Sequence, residues 1–163
     1  LQSPIPSSID ELDFKKNKSG SSNLLPKLTI NDDSIILVID DTYFIRSNLK
    51  SCLESIVSTR KPNYIVKTGN DGADLIWALI EDQKVNRIKC VITDESMEYI
   101  DGSTAVSLIT KIYNDGKITE LPYFICCTGY YSDEDMFNRL KDCGFDRVID
   151  KNPKKAVLYY VLV

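Results

Sequence analysis

Asp94 stands where the sequence changes character. Cys90, Val91 and Ile92 form a short apolar run, and the acidic stretch after it closes on the turn pair Asp101-Gly102. Two more carboxylates, Asp40 and Asp41, directly follow another apolar run at 35–39, Thr128 follows the run at 122–127, and Lys151 lies just past the run at 147–149. Carboxylates brought together repel one another and raise one another's pKa values unless a cation joins them. Magnesium is the simplest such cation. It takes oxygen ligands in an octahedron and usually keeps waters beside one or two carboxylates and a phosphate, which leaves Asp94 able both to coordinate and to attack. A lysine and a hydroxyl at the same edge hold the charged oxygens of a phosphoryl group during in-line transfer. The chain contains no histidine, which excludes Ser-His and Cys-His catalysis and most zinc sites. Any phosphohistidine in this chemistry belongs to another domain or protein.

The elements that must bring these residues together are legible from periodicity. The strand at 35–39 precedes a helix over 42–58 carrying Phe44, Ile45, Leu49, Leu53, Ile56 and Val57. A second strand at 64–68 leads through Asn70-Asp71-Gly72 into a helix with Leu75, Ile76, Leu79 and Ile80, and that helix fades into a polar stretch at 81–89. The third strand begins at Cys90. Its helix runs from Ser103 through Val106, Ile109 and Ile112 to a stop at Asn114-Asp115-Gly116. After the fourth strand, Ser132-Asp133-Glu134-Asp135 caps a helix that ends at Cys143-Gly144, and a last helix starts near Pro153. Trp77 reads as helix packing, and Tyr130-Tyr131 as exposed loop aromatics. Five strands alternating with five helices through short connections predict an α/β fold: a doubly wound, flavodoxin-like parallel sheet in the order 2-1-3-4-5 with helices on both faces. In such sheets ligands sit beyond the carboxyl ends of the strands, between the first and third. Asp40-Asp41 and Asp94 occupy those two strand ends.

Composition narrows the partners. At 163 residues the chain holds one domain, expected over 34–163, after a Ser-, Asn-, Lys- and Pro-rich linker over 1–33. Leu24, Leu25 and Leu28 are the linker positions able to dock on that domain. The first residue is Leu1 rather than Met, and the expectation is a piece of a longer polypeptide. A net charge of −4 argues against nucleic acid or an anionic membrane as partner. No apolar run reaches the length of a membrane span and no signal peptide opens the chain, so a cytoplasmic setting is expected, free-standing or as the cytosolic part of a membrane-bound protein. Cys52, Cys90, Cys126, Cys127 and Cys143 fall in or beside apolar runs without C-x-x-C spacing and read as reduced core residues. Cys126 and Cys127, neighbours on a strand, point to opposite faces.

Asp40-Asp41 after the first strand, Asp94 with Met97 and Asp101-Gly102 after the third, Thr128 after the fourth and Lys151 after the fifth together resemble a response-regulator receiver domain. The resemblance spans the domain from Ser34 onward. It implies that Asp94 is the phosphoacceptor and that Asp40, Asp41, Asp94 and the backbone carbonyl of Ser96 hold Mg2+. It implies that Thr128 and Lys151 sense the phosphate, and that the donor is a histidine kinase or histidine phosphotransfer domain. It also implies a receiver at the C-terminal end of a hybrid sensor kinase, with a stand-alone regulator as the alternative. Ser96 and Tyr130 fall at places that tune the lifetime of the phosphoryl group in that family. The chain departs from the family's pattern at Glu98, where a proline commonly follows the methionine. Val148 stands where an aromatic residue usually follows the threonine's state, and Asn152 is inserted between Lys151 and Pro153, where a cis bond is usual.

Each of these residues has a plain reading when taken alone: a helix cap for Asp40-Asp41, a turn for Asp94 and for Thr128-Gly129, a solvated charge for Lys151. Their convergence on one sheet edge is what points to a site. A receiver-like interaction module that is not phosphorylated, docking through its last two helices and last strand, is the rival that Val148 and Glu98 favour. An aspartyl phosphohydrolase needs a second Asp two residues after Asp40, where Thr42 stands. A flavodoxin needs Ser, Thr and Gly amides in its first loop, which here is acidic.

Overall fold

Ser34–Ile39 (β1) is buried at all but its first residue, the pattern of a strand covered on both faces. In the computed structural model, which describes residues 34–60, 63–130 and 132–162, β1 is followed by Tyr43–Arg60 (α1), Tyr64–Gly69 (β2), Gly72–Asp82 (α2) and Ile88–Thr93 (β3). Then come Gly102–Asn114 (α3), Tyr123–Thr128 (β4), Glu134–Cys143 (α4), Arg147–Asp150 (β5) and Lys155–Leu162 (α5). The strands form one parallel sheet in the expected order, β2-β1-β3-β4-β5. The linker expected over 1–33 and Tyr131, expected as an exposed aromatic, lie outside the described residues.

Alternation along the strands divides the core in two. Ile35, Leu37 and Ile39 face one side with Cys126, Val148 and the inward residues of α2, α3 and α4, among them Leu75, Val106 and Leu140. Ile36 and Val38 face the other with Cys127 and the Leu49, Leu53, Ile56 and Leu158 stripe of α1 and α5. Cys126 and Cys127 therefore belong to different cores, and all five cysteines are free. Leu53, Leu75 and Leu140 are fully enclosed, and each contributes about 1.5–3 kcal/mol through burial.

Three expectations need correction. β3 begins at Ile88, two residues before the apolar run. Ile88 joins the ladder opposite Ile35, its N–H donates to Asp82 Oδ2 at 2.7 Å, and Lys89 turns its ammonium outward to Glu120 at 3.0 Å. Polar composition hid a strand whose outward residue has a partner. Trp77 is 66% exposed, because two residues along a helix is about 200° from Leu75. Phe44 is 70% exposed, being half a turn away from the Leu49 and Leu53 stripe.

Loop ends are fixed by caps. Asp133 accepts from Met136 N–H at 2.9 Å to start α4, and Gly144 ends it at φ 110°, a left-handed conformation that favours glycine. Asp71 caps α2 through Ala73 N–H at 3.0 Å and also accepts from Tyr99 N–H at 2.9 Å and Ile100 N–H at 3.2 Å. It thereby ties the loop after β3 to the start of α2. Burial pushes the Asp71 carboxyl up, but these backbone donors outweigh it and hold it below the usual value of 3.8.

Replacing Asp71 with alanine is expected to cost about 2–3 kcal/mol at pH 7, since it removes a cap and orphans two loop N–H groups. A carboxyl lowered by folding lends stability that is complete above 3.8 and declines as pH falls through its folded value. The deficit of Asp71→Ala measured by urea unfolding therefore shrinks below that pH. An equal deficit at pH 7 and at the acid limit contradicts this.

Candidate functional site

The register of the sheet brings the strand ends level. Ile39 pairs with Thr93 of β3 and Gly69 of β2, so the next residues, Asp40 and Asp94, leave the sheet side by side. Asp94 N–H donates to the Ile39 carbonyl at 2.9 Å, and Asp40 N–H to the Gly69 carbonyl at 3.3 Å. The Arg46 guanidinium, one turn into α1, donates to the carbonyl of Asp40. Both strand ends are thus held by backbone bonds as well as by what their side chains do.

Asp40 and Asp94 are each 3% exposed and Asp41 is exposed. One carboxylate oxygen from each of the three lies within 4.8 Å of the others. Lys151, on the turn after β5, places Nζ 2.5 Å from Asp94 Oδ2 and 3.8 Å from Asp40 Oδ2. The second oxygens are also engaged: Glu95 N–H donates to Asp94 Oδ1 and Thr42 N–H to Asp40 Oδ1, both at 2.8 Å. Burial pushes the Asp40 and Asp94 carboxyls above the usual value, helped by neighbouring carboxylates and opposed by Lys151 and these N–H groups. Burial also pulls the Lys151 ammonium down, but its bond to Asp94 and the charges around it win, and its pKa is raised. Three carboxylates face one ammonium, which leaves an excess of negative charge in a pocket of hard oxygen donors. That donor set fits a divalent ion such as magnesium and gives soft metals no sulfur or imidazole.

Thr128, the last residue of β4, is buried and pairs with Asp150 of β5. Its carbonyl accepts from Lys151 N–H at 3.2 Å and its Oγ1 from Tyr130 N–H at 3.3 Å. Thr128 and Lys151 are therefore coupled through the backbone. Ser96 is exposed two residues after Asp94, as is Glu98, while Met97 packs into the core. Val148 is fully buried beside Cys126. Every peptide bond among the described residues is trans, the Lys151–Asn152 bond included. Gly102 closes the loop, its N–H donating to the Glu95 carbonyl at 2.9 Å, and a Cβ there would overlap the Asp94 carbonyl.

Sequence reasoning passed over Glu95. Its side chain is nearly buried and accepts from Ser103 N–H at 2.9 Å, Ser103 Oγ at 2.8 Å and Arg139 of α4 at 2.5 Å. A signal was available: an acidic residue between a buried strand and the core residue Met97 requires partners. Asp71 was read only as the start of a helix, and nothing local announces that its carboxylate reaches the N–H groups of residues 99 and 100.

The family model of the response regulator receiver domain matches residues 36–162. None of the curated proteins matches the chain. Among solved structures, the receiver domain of the histidine kinase CKI1 from Arabidopsis thaliana, complexed with Mg2+ and BeF3−, has a TM-score of 0.65 at 18% identity, covering 80% of this chain and 90% of its own. A response regulator receiver domain protein from Clostridium thermocellum has a TM-score of 0.61 at 25% identity, covering 78% and 90%. The response regulator domain of Thermotoga maritima CheB has a TM-score of 0.57 at 20% identity, covering 75% and 81%.

A carboxyl raised by folding lends stability that is complete below 3.8 and is lost as pH rises through its folded value, so at pH 7 the buried ionised group is a net cost. Asp40→Asn, which keeps an acceptor for Thr42 N–H, is therefore expected to be more stable than the parent at pH 7 in chelator. Magnesium at about 100 times its Kd should stabilise the parent by about 2.7 kcal/mol and the variant far less. Equal stabilisation of both in urea unfolding rules Asp40 out as a ligand.

Proposed function

The chain belongs to the response regulator receiver domain family, and from that membership we propose that Asp94 is the residue on which it receives a phosphoryl group. The family's role is that of a phosphorelay receiver, working with histidine kinase or histidine phosphotransfer partners. One observation carries the assignment: the Asp94 carboxylate, 3% exposed, is held by Lys151 at 2.5 Å among carboxylates that suit a dication. No helix of the described residues is long and apolar enough to cross a membrane, and we assign the domain to the cytoplasm and to residues 34–163, with 1–33 as a linking segment. The acidic balance of the chain supports protein rather than nucleic acid as the partner.

An Asp94 carboxylate oxygen attacks phosphorus in line with the donor's P–N bond. That bond breaks with its electron pair on the imidazole nitrogen, which then takes up a proton, and an acyl phosphate remains on Asp94. Asp40, Asp41, Asp94 and the Ser96 carbonyl are the groups that would hold Mg2+, which when bound would offset the charge of the phosphoryl oxygens. Lys151, already on Asp94 Oδ2, passes to the oxygens of the incoming group, and the Thr128 hydroxyl turns its proton toward them. The phosphoryl group carries about −1.5 to −2 of charge where the carboxylate carried −1, and the neighbouring loops must accommodate the difference and the added bulk. Tyr130, exposed and tied by its N–H to Thr128 Oγ1, screens the acyl phosphate from water.

Incubation with a small acyl-phosphate donor is expected to add one phosphoryl mass to the protein with magnesium, and none with chelator or with Asp94→Asn. No adduct together with no magnesium binding would return the chain to an interaction module. Tyr130→Ala is expected to shorten the adduct's half-life several-fold, an unchanged half-life by the same mass measurement removing the screening role.

A further inference from the structure

We propose that Glu95 and Arg139 form the link through which the state of Asp94 reaches α4. The inference rests on Asp94 being the phosphoacceptor. Asp94 Oδ1 is the acceptor for Glu95 N–H at 2.8 Å, a charge-assisted bond while the carboxylate is ionised. Glu95 points its own carboxylate to the other face of the sheet, where it takes Ser103 N–H, Ser103 Oγ and the Arg139 guanidinium, whose second nitrogen reaches Ser103 Oγ at 3.2 Å. One residue thus carries a donor for the reacting group on its backbone and an anchor for α4 on its side chain.

Phosphorylation breaks this arrangement at a definable atom. When an Asp94 oxygen bonds to phosphorus and the donor's P–N bond gives its electron pair to the imidazole, the remaining oxygen becomes a neutral carbonyl. Whichever oxygen attacks, Oδ1 loses its share of the carboxylate charge, and the Glu95 N–H bond loses about half its strength. The peptide that bears Glu95 is then freer to shift, and the side chain takes the anchor of α4 with it.

Two features make α4 the element that responds. It is ten residues long and has Leu140 as its one buried side chain, whereas α3 buries Val106, Ile109 and three smaller residues. Arg139 is half exposed, and on its face of the helix Met136 and Cys143 are only partly buried against the core, so its bonds to Glu95 and Ser103 add a large share of what holds that face. On the neighbouring strand Val148 is fully enclosed in the core and β-branched, which leaves no side chain there free to swing with Thr128.

The test is hydrogen exchange over residues 134–143 in the parent, Arg139→Met and Arg139→Lys, each with and without the acyl-phosphate donor, with intact mass read on the same samples. The parent is expected to show about tenfold faster exchange in α4 once the adduct forms, with β1 and β3 unchanged. Arg139→Met should exchange at that faster rate before any donor is added, gain less than about twofold from the adduct, and still form it. Arg139→Lys, which keeps the charge, should restore part of the protection and of the response. Exchange in unphosphorylated Arg139→Met equal to the parent's, or an adduct that leaves α4 unchanged in the parent, overturns the link. If no adduct forms on the parent, the phosphoacceptor reading fails and the link falls with it. The unphosphorylated comparison then still decides whether Arg139 anchors α4.

Discussion

The ion pair between Lys151 and Asp94 is the contact on which the rest of the site depends. A carboxylate this enclosed, with Asp40 and Asp41 beside it, is not held ionised by water. Lys151 supplies the compensating charge at 2.5 Å, and its backbone is fastened to Thr128, so that the fifth strand's exit is positioned by the fourth. One ammonium against three carboxylates leaves the cluster incompletely neutralised, and that excess of negative charge is what suits it to a dication. A fully neutralised cluster would be a structural salt-bridge network with nothing left to bind.

The fold makes that crowding possible because a parallel sheet ends all its strands at one edge. β1 and β3 are neighbours in the sheet although β2 separates them in sequence. Residues 54 positions apart leave adjacent strands side by side, fixed by the Asp94 N–H bond to the Ile39 carbonyl. The cost of bringing carboxylates together is met by the two apolar cores, which cover the strands on both faces and leave the edge no alternative geometry. Chain direction past the strand then separates the two side chains: Asp94 faces the carboxylate pocket and Glu95 faces α3 and α4.

Strand order, helix stops and the residues of the pocket were legible in the sequence because each rests on a local signal. Continuous apolar runs ended on polar residues at Asp40, Asp94 and Thr128, and Gly144 ended its helix as a left-handed glycine should. What failed was also local. Periodicity counts apolar residues without knowing which face of a helix meets the sheet, so Trp77 and Phe44 were placed inside when their angular positions put them outside. The start of β3 was hidden because Lys89 stands at the register shift between Ile88 and Cys90 and meets a charged partner, Glu120, that sequence distance conceals. The long-range work of Asp71 and Glu95 was illegible for the same reason: their partners lie 28 and 44 residues away.

Asp71, Glu95 and Asp94, the last the proposed phosphoacceptor, are acids at a single sheet edge that are compensated in three different ways. All three are buried acids beside the same loop, and composition does not separate them. Asp71 is surrounded by backbone N–H groups, which are fixed dipoles that favour the charged form without competing for it; its pKa falls and it becomes a brace. Glu95 is taken up by a guanidinium and a hydroxyl, with both oxygens engaged. Asp94 has one backbone donor and one partly exposed lysine, and burial keeps its carboxyl above the usual value. The acid proposed as phosphoacceptor is therefore the one whose compensation is a single side-chain charge, because such a charge is able to turn to a new group whereas backbone dipoles are not.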